Sequence, residues 1–378
     1  MCGLRGVAGV GWMLMAVVSA AAVAPLPAGL EAPVRTVRAV GPEGQGNAEA
    51  AAAWQRLAEA PAEAVPGLLA AMDGANEYAI NWLRSAIETA VQREAAAGHA
   101  VSVTALEEVL ADLGHHPRGR GLAYELIARM QPERAKTLLP GFLNDPGTEL
   151  RREAVAAVAA EAEARAAAGD PAAAVTGYRK ALTYAREADQ VDVLAQKLQD
   201  LGETVDLREL LGWVTRWQVV GPFDNTGGAG FARAFPPESA TEASGEYPGK
   251  TEPVRWQPFE TKDDHGMVDF NKPFSPLKEV TGYALTEFWS DTARPAELRL
   301  GCKNGWKIWW NGTFLFGRDE YHRAAEMDQY RLPVQIQAGK NVLLVKCCQN
   351  EQTEEWTKEW EFQLRVTDPQ GAPIRSTK

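Results

Sequence analysis

Three kinds of side chain in this 378-residue chain are able to do chemistry: carboxylates that could pair, histidines, and tryptophans that could face solvent. Glycoside hydrolysis needs two carboxyl groups facing one another across a sugar, ~5 Å apart for retention and ~6.5–9.5 Å for inversion. The candidates Asp224, Asp263, Asp264, Asp319, Glu320, Glu354 and Glu355 all stand in polar, turn-like contexts where solvated carboxylates are ordinary. Nothing in their spacing pairs any two. His265 and His322 have the chemistry of an acid or base, but loop histidines are commonly just solvated, and His115-His116 before Pro117 suits a turn between helices. A Gly-x-Ser-x-Gly elbow, a phosphate-cradling loop and a His-Glu-x-x-His metal pair do not occur in the sequence. No residue is therefore assigned a catalytic role, and binding is a stronger reading than catalysis.

Aromatics are the better lead, because the C–H faces of a sugar stack on indole rings. Nine of the twelve tryptophans lie at or beyond Trp213. Alternation sorts them. In Trp306-Lys307-Ile308-Trp309-Trp310, the first, third and fifth residues share one face and belong in a core, while Lys307 and Trp309 share the other. Trp360, Phe362, Leu364 and Val366 likewise share a core face, with Glu361, Gln363 and Arg365 opposite. Trp309 beside Lys307, and Trp356 within Glu354-Glu355-Trp356-Thr357-Lys358, are the candidates for exposure, with packing under a loop or against the helical domain as the other reading of each. Asp224 and Asn225 open a long irregular stretch running to Thr251, and connections of that length are often functional. The expected ligand-contacting set is Trp309, Lys307, Trp356, Asp224 and Asn225. No cofactor is expected. A structural calcium is the one metal considered, with Asp263-Asp264 as contributors, and two acids are far from a full coordination set.

The elements that must hold these residues change character along the chain. Arg5, the apolar Val7–Val18 stretch and small residues up to Ala24 read as a signal peptide over 1–24, cleaved between Ala20 and Ala24. The protein is then expected to be secreted or periplasmic, with no transmembrane segment after cleavage. Cys302, Cys347 and Cys348 remain; a disulfide from Cys302 and three buried thiols are both open. Net charge of −11 argues against a nucleic-acid polyanion as the main partner. Residues 25–46 read as a Pro/Gly/Ala linker. Residues 47–212 have helical period, including helices over Tyr78–Val91, Thr104–Leu113 (with Leu106, Val109, Leu110 and Leu113 inward), Gly119–Met130 and Pro132–Leu143. From Trp213 the period becomes alternating. Nine strands are expected, over Val214–Val220, Val254–Phe259, Gly282–Trp289, Ala296–Cys302, Trp306–Trp310, Thr313–Phe316, Arg331–Ile336, Asn341–Gln349 and Trp360–Val366, with Asn311-Gly312 making a type I′ hairpin. Asn311-Gly312-Thr313 is also a formal glycosylation sequon.

Gly169-Asp170-Pro171-Ala172-Ala173-Ala174 followed by Tyr178-Arg179-Lys180-Ala181-Leu182 resembles a tetratricopeptide hairpin, and the other helical pairs resemble HEAT repeats. Glu297-Leu298-Arg299-Leu300-Gly301-Cys302-Lys303-Asn304-Gly305 leading into Trp306–Gly312, with Ala338–Lys346 later, resembles the core of galactose-binding-like jelly-roll domains. Such domains accompany β-galactosidases and many exported carbohydrate-active proteins. Trp217-Gln218-Val219-Val220-Gly221-Pro222-Phe223-Asp224-Asn225 resembles the joining segment of exported bacterial proteins that couple helical repeats to such a sandwich. The fold class expected is multidomain α + β: an α-solenoid-like bundle over 47–212, then an antiparallel β-sandwich of jelly-roll type over 213–378. The function expected is non-catalytic recognition of a glycan or a cell-envelope protein. The alternatives are a structural protein–protein assembly component and, as the weakest reading, a glycoside hydrolase with its site at the domain junction.

Overall fold

The computed structural model describes residues 26–239 and 242–378. The signal-peptide reading and Cys2 fall outside the described residues. Eleven α-helices precede Gly212 among those described, and antiparallel strands follow, so the chain is a mixed α + β protein of more than one unit. By packing it divides at Ala154/Val155 into two compact units.

In the first unit, the stretch expected to be a linker carries α1 (Glu31–Arg38), because Val34 and Val37 recur at helical spacing and are buried. α2 (Asn47–Ala58), α3 (Val65–Ala70), α4 (Glu77–Ala96), α5 (Val103–Ala111), α6 (Pro117–Met130) and α7 (Pro132–Leu138) follow. Ile80, Leu83, Ile87 and Ala90 make the buried stripe of α4, while Tyr78 turns outward. Leu113 was expected to point inward. It is exposed, because α5 ends at Ala111 and the helical phase ends with it. Arg120 is buried and holds Asp145 through two hydrogen bonds of 2.9 and 2.7 Å.

The second unit begins inside α8 (Thr148–Ala167) and contains α9 (Pro171–Tyr184), α10 (Ala188–Asp200) and α11 (Leu207–Leu211). Asp170 caps α9 by accepting from the Ala173 amide at 3.0 Å, with Pro171 at the first helical position. Gly212 ends α11 in the left-handed region (φ +69), a conformation that an added Cβ would disfavour.

Each of the nine expected strands overlaps an observed one: β1 (Arg216–Asp224), β3 (Pro253–Arg255), β4 (Gln257–Glu260), β6 (Val280–Ser290), β7 (Arg294–Cys302), β8 (Gly305–Trp310), β9 (Thr313–Arg318), β10 (Tyr330–Ile336), β11 (Gly339–Gln349) and β12 (Glu361–Thr367). The strands expected from Val214 and from Trp360 begin at Arg216 and Glu361 instead. The stretch expected as one strand over Val254–Phe259 is divided between β3 and β4. Short β2 (Glu246–Pro248) and β5 (Val268–Asp269) were not expected. One sheet has the order β4-β1-β6-β11-β8-β9, the other β10-β7-β12-β5, and every pairing is antiparallel. Their inner faces enclose one core that includes Trp306, Ile308, Trp310, Trp360, Phe362, Leu364 and Val366, as alternation requires. Asn311 and Gly312 both have positive φ (+50 and +76), the mark of a type I′ turn. The Asn311 side chain is engaged within the fold: its Oδ1 accepts from the Val342 amide at 2.8 Å and its Nδ2 donates to Asn341 at 3.0 Å.

Candidate functional site

The outer face of the six-stranded sheet is the side on which Lys307 and Trp309 lie, a candidate for exposure on strand parity. It is covered. Residues 229–239 and 242–256 lie over it and build a second apolar cluster in which Trp309 packs with Val220, Phe223, Phe235, Tyr283 and Leu344. Trp309 is only 7% exposed, and the Lys307 ammonium lies 4.6 Å from the centre of the Phe231 ring. Lys346 fastens the cover. Its buried Nζ donates to the carbonyls of Phe231 (3.1 Å) and Arg233 (2.7 Å) and to Glu238 Oε1 (2.7 Å), and Tyr283 Oη donates to the same carboxylate. Burial pulls the Lys346 ammonium below its ordinary range, with Glu238 opposing that shift.

Asp224 and Asn225 are placed at one end of the sandwich. The Asp224 carboxylate accepts from Thr226 Oγ1 at 2.6 Å, lies 3.3 Å from Lys250 Nζ, and is held below the usual carboxylate range by those partners. Asn225 is fully buried: its Nδ2 donates to Gln349 O (3.0 Å) and Tyr321 Oη (3.2 Å), and its Oδ1 accepts from the Phe231 amide. It works as an internal strut.

Tyr321 leads directly to the exposed end of this cluster. The next residue, His322 (φ +58), presents its ring edge-on to Trp356 at 5.4 Å and 83°. His322 Nε2 is 2.7 Å from Asn350 Oδ1. Trp356 is 61% exposed and sits on the short turn Glu355–Thr357. That turn is anchored from below: Lys278 Nζ and Gln349 Nε2 both donate to the Thr357 carbonyl, at 2.7 and 3.0 Å. The fold therefore gathers Asn225, Tyr321, His322, Asn350 and Trp356 from three loops. Trp309 and Lys307 are not part of this cluster.

Two concavities stand elsewhere on the second unit. A groove of about 1130 Å³ runs along the outer ends of β1, β4 and β6, lined by Arg216, Gln218, Glu260, Glu287 and Trp289. Lys378 Nζ lies 3.5 Å from the Trp289 ring centre. These residues were not singled out from the sequence, although alternation in β6 already puts Glu287 and Trp289 on the side away from Phe288. A smaller cavity of about 400 Å³ is lined by Asp192, Asp263, His265, Met267, Met327, Glu361 and Gln363. Burial there pushes the Glu361 carboxyl up to about 7; Lys303 opposes the shift, and Glu359, Asp269 and Asp263 reinforce it. Asp263 Oδ1 is engaged by the amides of His265 (2.9 Å) and Met267 (3.2 Å). Among the described residues no group of three or more His, Cys, Asp or Glu is arranged to hold a metal ion. No helix among them is long and apolar enough to cross a membrane.

No family model matches the chain, and no curated protein matches it. Among solved structures it is similar to an anti-sigma factor domain-containing protein, with 9% identity and a TM-score of 0.24 over 43% of this chain and 48% of that one. It is also similar to the GH31 alpha-xylosidase from Xanthomonas citri, with 7% identity and a TM-score of 0.23 over 41% of this chain and 18% of that one. The chain thus spans about half of the first and about a fifth of the second. Likeness of this degree is no guide to ligand or reaction.

Proposed function

We propose that the chain is an exported, non-catalytic binding protein in which helical repeats of HEAT and tetratricopeptide type support a galactose-binding-like jelly roll, and that the sandwich recognises a glycan through Trp356. The observation that carries this reading is the Trp356 ring itself, 61% exposed yet braced by His322 on an anchored turn. An indole left in water is unfavourable unless something covers it, and the C–H face of a sugar does so well. Gln352 and Glu354 on the same loop are hydrogen-bonding groups suited to hydroxyls, while the buried Asn350 side chain is engaged by His322 and Gln352 and steadies the loop. Glycan-array screening of the full chain, followed by calorimetry, tests it. Trp356→Ala should lower affinity at least ~10-fold while leaving the denaturation midpoint unchanged, as for an anchor at a small interface. A chain that retains no glycan, or binding that ignores Trp356→Ala, overturns the reading.

A second reading, an assembly component that docks a cell-envelope protein, is favoured by β9. It is an edge strand with Phe314 and Phe316 51% and 43% exposed.

A further inference from the structure

Two thiols face each other across the core of the sandwich. Cys302 ends β7 in the four-stranded sheet, Cys347 lies near the end of β11 in the six-stranded sheet, and their Sγ atoms stand 3.9 Å apart. Both are buried and unbonded. Strand parity makes the pairing selective. Cys347 points inward with Leu343 and Val345. Its neighbour Cys348 points to the other side of the sheet, where Thr281 Oγ1 donates to its sulfur at 3.3 Å. Only one of the two adjacent thiols can reach Cys302. A disulfide needs its sulfurs to close to about 2.05 Å, and this pair already stands at contact distance on facing sheets.

We propose that Cys302 and Cys347 form a covalent modification site, an inter-sheet disulfide made when the chain folds in the presence of an exchangeable disulfide such as that of glutathione. In the folded, reduced protein, burial holds the Cys347 thiol well above its ordinary range, so it offers no thiolate there. The chemistry therefore belongs to the folding chain, before the sheets close. One cysteine thiolate attacks glutathione disulfide, forms a mixed disulfide and expels a glutathione thiolate. The second thiolate attacks the protein sulfur of that mixed disulfide and expels the second glutathione, so that two protein thiols are oxidised and one glutathione disulfide is reduced. The link spans 45 residues of chain and ties the two sheets. Closing a loop of that length restricts the unfolded chain.

The full chain, reduced and unfolded, is refolded with reduced and oxidised glutathione, alkylated, and digested with trypsin. The expected product joins the peptide Leu300–Lys303 to Cys347–Lys358, and free thiols fall from the four of the sequence to two. The denaturation midpoint should rise and fall back on reduction. Cys348→Ser should keep the link and Cys347→Ser should lose it. Cys302→Ala gives an independent loss if Cys347→Ser folds poorly. Four free thiols in a chain that has regained its native spectrum, a link between Cys347 and Cys348, or a cross-linked chain that denatures earlier than the reduced one would each overturn the assignment.

Discussion

Glu361 is a carboxyl group poorly matched to its charge. It is partly buried beside Asp263, Asp269 and Glu359, with Lys303 Nζ 3.8 Å away as an ion-pair partner, and its folded value is pushed up to about 7. A carboxyl that holds its proton more tightly when folded makes folding less favourable as that proton is lost. The loss develops between the ordinary carboxylate range and about 7, and levels off above it. Glu361→Gln removes this dependence. The variant should be more stable than the parent by ~1–2 kcal/mol at pH 8, after allowance for partial solvent screening. At pH 4.5 it should be no more stable than the parent. Urea denaturation at the two pH values checks this, and an advantage of equal size at both would mean that the proton is not the cause.

At the scale of an element, β8 carries tryptophans on both faces, and both faces are buried. Trp306 and Trp310 belong to the core between the sheets, while Trp309 is sealed beneath the segment that Lys346 fastens. Trp309→Ala should therefore behave as a core truncation and cost ~3–5 kcal/mol by urea denaturation. A loss below ~1 kcal/mol would mean that the cover does not pack in solution. The same cover explains why an ammonium can sit fully buried at position 346: each of its three donors meets an acceptor in the cover.

At the scale of the molecule, the outer face of β12 decides what the sandwich requires. Alternation places Gln363 and Arg365 opposite the core, yet both are buried. Arg365 donates to Asp328 at 2.7 and 2.6 Å and reaches the carbonyls of Leu211 (3.4 Å) and Arg186 (3.5 Å). Arg375 donates to the Glu209 carbonyl at 3.0 and 2.6 Å. These bonds tie residues 186–211 to the sandwich and agree with the compact unit that starts at Val155. A fragment Leu207–Lys378 should still fold as a β protein, but below a fragment Thr148–Lys378 by ~2 kcal/mol or more, since Arg365 loses a partner and its surroundings open to water. Comparing the two urea midpoints and far-UV spectra tests this; equal midpoints would show that the sandwich needs no helix N-terminal to α11.

Period, parity and turn chemistry are local, and they were legible. The switch from helix to strand at Gly212–Trp213, the cap at Asp170, the Asn311-Gly312 hairpin and the core faces of β8 and β12 all follow from residues within a few positions of one another. What covers the opposite faces is not local. Residues 229–239 and 242–256 lie over Trp309, Arg186, Leu211 and Trp213 meet Arg365, and the contact of His322 with Trp356 joins two loops. A tryptophan beside a lysine reads the same whether water or a distant segment lies above it. Sequence parity thus decides which side of a sheet a residue takes, and only the tertiary path of the chain decides whether that side is wet.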